Sequence, residues 1–152
     1  RYILIFFLLD GCQERWGCVV ITNMDVTVYN RKYDETTHFD TWSRTILHGV
    51  HVYVDHKTAV SDNGLNSAEV YKIRIPADIP EADQYLPPEE YACCGGFGNW
   101  TIQNGDQIVL GECQIEIERP ADLKAVFQKH CKVLSWSDNR FGTTPHWRIG
   151  GE

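Results

Sequence analysis

The stretch WTIQNGDQIVLG, residues 100–111, carries the clearest local signal in the chain. It places Asn104-Gly105 between two runs of β-forming residues. Asn-Gly in this setting is typical of a type I′ turn, in which both central residues take a positive φ. The stretch therefore predicts a β-hairpin, and the alternation after the turn extends its second strand through Cys113 and Ile117.

Most of the remaining chain also favours β-structure, because β-branched and aromatic residues alternate with polar ones in short runs. These runs lie at residues 26–29, 36–54, 70–75, 133–136 and 146–149. Gly49 interrupts the second run and suggests a β-bulge. Pro76 follows the third run and is expected to end that strand.

Two segments predict long loops. Residues 56–67 contain the turn signal Asp62-Asn63-Gly64. Residues 76–98 hold Pro76, Pro80, Pro87 and Pro88, followed by the glycine-rich run CGGFG. Proline has no amide donor for a strand ladder, so we expect this second segment to be exposed.

One helix is predicted, at about residues 120–131. Pro120 suits the first helical position, and Asp122 is favourable in the first turn. An apolar stripe at helical spacing should pack on a sheet. It consists of Leu123, Val126, Phe127 and His130.

These elements predict a mainly β fold, a small antiparallel β-barrel or sandwich with one α-helix across an opening and long loops. The 152 residues suit a single domain. We place it at residues 24–152, because the β-pattern begins right after Met24. Residues 1–23 are interpreted as an N-terminal extension outside the domain. The alternative is that the apolar run YILIFFLL, residues 2–9, forms a buried strand.

Charge and cysteine content limit the classes of protein. The formal net charge of −7 argues against a protein that coats nucleic acid, because neutralising phosphates requires surplus Lys and Arg. The cysteines follow no zinc-binding spacing, and Cys93 and Cys94 are adjacent in sequence. We expect reduced thiols and synthesis in a cytoplasm.

Two groups of residues suggest chemistry, and each has a plainer explanation. His48, His51 and His56 resemble a metal cluster, yet strand residues three apart point to opposite faces, so His48 and His51 share an ion only if Gly49 starts a bulge. Asp138, Arg140 and His146 suggest a phosphate site, although DNRFG, residues 138–142, is also typical of a capped loop.

No nucleophile motif and no phosphate-binding glycine motif occurs in the sequence. We therefore expect a protein that is not an enzyme and uses no metal or cofactor. The alternative from another class is a metal-dependent nuclease or hydrolase that uses His48, His51, Asp138 and His146.

Aromatic residues in the predicted loops point to protein contacts, since Trp, Tyr and Arg are enriched in interfaces. Segment 76–98 is longer than a simple connector requires, and loops of that length are often functional. The candidate interface residues are Tyr85, Tyr91, Phe97, Trp100, Arg140 and Phe141.

From Met24 onward the chain resembles a family of small, uncharacterised proteins encoded among the structural genes of tailed phages and prophages of Gram-positive bacteria. The stretches that carry the likeness are MDVTVYNR (24–31), RTILHGV (44–50), GLNSA (64–68), IRIP (73–76), IQNGD (102–106), DNRFG (138–142) and HWRIGG (146–151).

The resemblance implies a virion protein made in the bacterial host cytoplasm. The genes of this family look like those for minor capsid, head-closure or head–tail joining proteins, which tend to be small β-barrels that assemble as rings, so a connector subunit is expected. The expected partners are neighbouring copies, portal, adaptor or tail proteins, and DNA in passing contact, without a membrane. A minor capsid or decoration protein is the alternative within the same class. The resemblance supplies no functional residues.

Overall fold

The computed structural model describes residues 21–96, 98–126 and 128–152. The expected extension at residues 1–23, and its alternative as a strand at 2–9, lie outside the described residues except for 21–23. Within those three, the Asn23 side-chain amide donates to the carbonyl of Val52 at 2.7 Å, and its oxygen accepts the Val52 amide at 2.9 Å.

The described residues form six strands. They are β1 (Met24–Asp34), β2 (Phe39–Ser61), β3 (Gly64–Pro76), β4 (Gln107–Leu110), β5 (His130–Asp138) and β6 (His146–Gly151). The spatial order β1-β2-β3-β6-β5-β4 returns to β1, and every neighbouring pair is antiparallel. The predicted mainly β fold is confirmed, in the form of a closed barrel.

β1 is buried on both faces because the barrel has two apolar layers. Val26 and Val28 point into the main core with Ile108 of β4. Tyr29 points the other way and packs in a second cluster with Val109. Alternation along β1 and β4 thus separates an interior core from an outer one.

The outer cluster is covered by the chain that follows β4. The predicted strand through Ile117 is wrong, because β4 ends at Leu110 and Gly111 turns the chain with φ +93°. Cys113 and Ile117 are nevertheless buried, since this segment lies across the outer faces of β1 and β4. The Thr27 hydroxyl holds it there by donating to the Gly111 carbonyl and accepting the Cys113 amide, each at 2.9 Å.

The prediction of a β-hairpin around Asn104-Gly105 is also wrong. A turn is present, with the Asp106 amide donating to the Gln103 carbonyl at 3.3 Å. Gly105 has φ +97°, but Asn104 does not take a positive φ, so the turn is not type I′. Residues 101–103 form no strand. Instead, Thr101 is bonded to the side chain of Asn30.

The α-helix predicted at residues 120–131 is replaced by a 3₁₀ turn, Pro120–Ala125, and by the start of β5. Cys131 and Val133 are buried while Lys132 between them is exposed, which is the period of a strand. Pairing with β4 satisfies the backbone of this segment and outweighs the helical spacing of its apolar residues.

The proline-rich segment is not an exposed loop. It contains a 3₁₀ turn, Ala82–Gln84, and the helix α1 (Pro88–Cys94), which starts with proline at its first position. Ile79, Tyr85 and Trp100 from this part of the chain belong to the main core. The segment is therefore packed into the main core through these three side chains.

Residues 56–67, predicted as a loop, extend β2 and β3 into a two-stranded ribbon around the turn at Asp62-Asn63. We name residues 56–69 the β-arm. Among the described strands, the two halves of the β-arm pair only with each other, because β6 joins β3 from Tyr71 onward. The turn prediction is confirmed, and the loop prediction is wrong.

Candidate functional site

Three of the predicted interface residues lie inside the molecule. Trp100 is fully buried, Tyr91 is 1% exposed and Tyr85 is 9% exposed. The rings of Tyr85 and Trp100 pack against Trp147 with centroids 4.7 and 5.2 Å away. Burial removes these three side chains from contact with a partner and gives them a core role instead. Phe97 lies outside the described residues.

Arg140 and Phe141 lie at the surface. The Arg140 guanidinium stacks 5.0 Å from the rings of both Tyr85 and Trp147 and is paired with Asp138 at 2.6 Å. The hydrogen bonds from Arg140 lower the pKa of Asp138. Arg140 thus covers the buried aromatic cluster, whereas Phe141 is 93% exposed. Of the five candidates that the structure describes, Phe141 is the most exposed apolar side chain.

The β-arm lies at the surface along most of its length. Every residue from 56 to 67 is exposed. Val60 and Leu65 face each other across the ribbon near its tip and are 83% and 74% exposed. A ribbon of two strands is at best marginally stable in water, so an apolar pair at its tip points to a contact beyond this chain.

A cleft of about 910 Å³ lies at the opposite end of β2. Phe39, Trp42 and Ile117 provide its apolar walls, and Phe39 is 74% exposed. The charged lining residues are Arg31, Arg119, Lys132, Asp40 and Glu118. Arg31 pairs with Asp40 at 3.9 Å and Arg119 with Asp122 at 3.8 Å, so the charges around the cleft largely offset one another.

A separate polar cluster surrounds the bulge between β1 and β2. Val26 pairs with Leu47 but Met24 pairs with Val50, so His48 and Gly49 together face Asp25. Gly49 has φ +79°, which confirms the bulge predicted there. Asp25 fixes the bulge by accepting the Gly49 amide at 3.0 Å.

Three carboxylates face the His48 imidazole. Glu81 pairs with Nδ1 and also accepts the His48 backbone amide at 3.3 Å. Glu112 lies 3.4 Å from Nε2, and Asp25 completes the group. The hydrogen bond with Glu81 raises the pKa of His48, and the charges of Glu81, Asp25 and Glu112 add to this effect. We name these four residues the bulge cluster.

The residues proposed for a metal-dependent hydrolase do not form this cluster. Of His48, His51, Asp138 and His146, only His48 belongs to the metal-capable group found in the described part of the chain. His51 lies beside Tyr53, and Asp138 pairs with Arg140. Sequence reasoning missed Asp25, Glu81 and Glu112, since nothing in their spacing links them; the only signal was Gly49 beside His48.

The fold and these surfaces define a closed antiparallel β-barrel with a protruding β-arm. The chain belongs to a family of unknown function, DUF6751, whose model matches residues 21–152. No curated protein matches the chain, and no solved structure matches it. In the portion of the chain described above, no helix is long and apolar enough to cross a bilayer.

Proposed function

We propose that this protein is a non-enzymatic structural subunit of a tailed-phage virion, which assembles head-to-tail into a ring at the head–tail connection. The main support for assembly into a ring is the exposed apolar tip of the β-arm. The phage setting rests on the sequence resemblance described above. Synthesis in the bacterial cytoplasm and partners such as portal, adaptor or tail proteins follow from that setting.

The β-arm and the cleft form the proposed contact between neighbouring copies. The cleft lies at the start of β2, at Phe39, and the arm ends β2, at Ser61. Val60 and Leu65 of one copy would pack on Phe39 and Trp42 of the next. Since the two surfaces differ, the contact is heterologous, and such contacts close into rings when the rotation between copies allows it.

The two surfaces carry little net charge. The tip of the β-arm, residues 58–68, contains a single charged residue, Asp62, in its turn. In the cleft, Arg31 and Arg119 are each paired with an aspartate, at 3.9 and 3.8 Å. The proposed contact is therefore mainly apolar.

Self-association of purified variants tests the contact. We expect the wild-type chain to form oligomers at high concentration in sedimentation velocity. Val60→Ser with Leu65→Ser should abolish them, and Phe39→Ser in the cleft should do the same. Leu134→Ser is the matched control, because Leu134 is 49% exposed outside both surfaces. Exposed substitutions change stability by roughly 0.5 kcal/mol or less, so folding should be retained.

Mixing the two variants gives the decisive result. The arm variant keeps its cleft and the cleft variant keeps its arm, so the mixture should form a dimer with a single contact and no larger species. Monomers at millimolar concentration for the wild type, or equal loss of association in Leu134→Ser, would overturn the arm-in-cleft contact.

The place in the virion is tested by deleting the gene from a parent phage and imaging the particles. Separate tails and heads without DNA would support a connector. Complete, infectious particles would contradict it and favour the minor capsid or decoration alternative.

A further inference from the structure

The bulge cluster has the features of a metal site that is independent of ring assembly. Asp25, His48 and Glu112 each offer a ligand atom, and these atoms lie within 4.8 Å of one another. They come from β1, β2 and the segment after β4, so the closure of the barrel brings them together.

The chain backbone positions each of these side chains. The bulge at Gly49 places His48 beside Asp25, and the Asp25 carbonyl accepts the Gly111 amide at 2.8 Å. Gly111 has φ +93°, which turns Glu112 back towards the bulge. The Glu112 carbonyl is held in turn by the Gln128 side-chain amide at 2.8 Å. Bulges of this kind often aim a side chain at a functional site.

Glu81 is placed to orient the imidazole ring of His48. It pairs with Nδ1 of His48, and its side chain is only 14% exposed. A metal-binding histidine usually donates its other ring N–H to a carboxylate, which fixes the tautomer and the ring orientation. With Nδ1 engaged, Nε2 of His48 is the nitrogen that faces Glu112, at 3.4 Å.

The charge balance also favours a cation. Among the described residues, no Lys or Arg forms an ion pair with Asp25, Glu81 or Glu112, and the single imidazole faces all three carboxylates. Two carboxylate oxygens with one imidazole nitrogen suit Mn²⁺, Fe²⁺ or Zn²⁺ better than Ca²⁺ or Mg²⁺, which prefer oxygen ligands alone.

We propose that Asp25, His48 and Glu112 bind one divalent transition-metal ion, with Glu81 as the positioning residue for His48. Glu112 and His48 are about half exposed, so they can move the short distance needed to bring their atoms to bonding range. An ion bound by three protein ligands has further coordination positions, which water can fill. The bound ion would join β1, β2 and the segment after β4.

Mn²⁺ is the probe of choice, because the exposed Cys93 and Cys94 thiols would compete for softer ions such as Zn²⁺. The full chain is treated with chelator, then titrated, and free Mn²⁺ is followed by electron paramagnetic resonance. We expect one Mn²⁺ per chain. His48→Gln and Glu112→Gln should weaken binding by at least about tenfold, and Glu81→Gln by about 10–100-fold, as for other orienting partners.

His51→Gln is the matched control, since His51 lies three residues away on β2 outside the bulge cluster. Its affinity for Mn²⁺ should equal that of the wild type. Thermal unfolding gives a second readout, because an ion that binds only the folded chain raises the melting temperature. At one Mn²⁺ concentration, that rise should be equal in the wild type and in His51→Gln, and smaller in Glu112→Gln.

Failure to bind Mn²⁺ at millimolar concentration overturns the proposal, as does equal affinity in Glu112→Gln, His48→Gln and the control. In either case the bulge cluster is an ion-pair network that ties the barrel together without metal. Neither result bears on the arm-in-cleft contact, which these residues do not form.

Discussion

At the scale of single residues, Asp106 is a carboxyl group buried in the interior. It is fully buried and accepts hydrogen bonds from the Asn30 side-chain amide at 2.7 Å, the Arg31 amide at 2.9 Å and the Gln103 amide at 3.2 Å. It thereby joins β1 to the turn before β4. Desolvation by burial raises the pKa of Asp106 to about 6, although these hydrogen bonds act to lower it.

This raised pKa predicts a pH dependence of stability. The folded chain holds the Asp106 proton more tightly than the unfolded chain, whose pKa is near 3.8. The contribution of Asp106 is therefore fully present below about pH 4 and is lost as the pH rises through 6. The shift corresponds to about 3 kcal/mol at most.

Asp106→Asn isolates that contribution. Asn replaces one of the two side-chain oxygens, each of which accepts a hydrogen bond, with an NH₂ group that cannot accept one, so the variant should lose about 1–3 kcal/mol of stability. In urea unfolding, we expect the deficit relative to wild type to shrink as the pH rises from 4 to 7. Asp62→Asn, in the exposed turn of the β-arm, is the control and should show no such trend. A deficit that grows with pH would contradict the raised pKa.

At the scale of elements, sequence patterns predicted those strands whose alternation follows one buried face. The run ending at Pro76 and the closing strand β6 are examples. The pattern failed where long-range pairing decides the structure. The apolar residues of segment 120–131 have helical spacing, yet the chain from His130 onward forms a strand that pairs with β4. Conversely, Pro87-Pro88 indicated a loop, although Pro88 begins α1.

The β-arm depends on a glycine that sequence reasoning identified only as a turn residue. Gly64 has φ +113°, and a Cβ there would meet no atom within 4 Å, so only the backbone conformation opposes substitution. Gly64→Ala should destabilise the arm by about 1 kcal/mol or more.

Hydrogen exchange checks this prediction. The amides of residues 56–69 should exchange faster in Gly64→Ala, while the barrel keeps its melting temperature, because the two halves of the arm pair with each other and with no other described strand. Gly142→Ala is the control, since Gly142 is exposed, has no atom within 4 Å of its Cβ position and takes no positive φ. A fall in the barrel's melting temperature would show that the arm is not an independent unit.

At the scale of the whole molecule, barrel closure creates both candidate sites. Asp25 and Glu112 are distant in sequence, and they meet because β4 pairs with β1. The arm and the cleft are separated because β2 continues from the β1 pairing into the β3 pairing without a break. Neither arrangement is visible in local sequence patterns, since each depends on which strands become neighbours.

The net charge of −7 makes salt a test of how whole molecules associate. Copies of an acidic protein repel each other, while the proposed contact is mainly apolar, with Asp62 as the only charge near the tip. The Debye length falls from about 10 Å at 0.1 M salt to about 3 Å at 1 M, so the repulsion is screened. We expect self-association in sedimentation equilibrium to strengthen over this range, and Val60→Ser with Leu65→Ser to stay monomeric throughout. Dissociation by salt would mean instead that ion pairs, such as those of Asp62 with Arg31 or Lys132, hold the copies together.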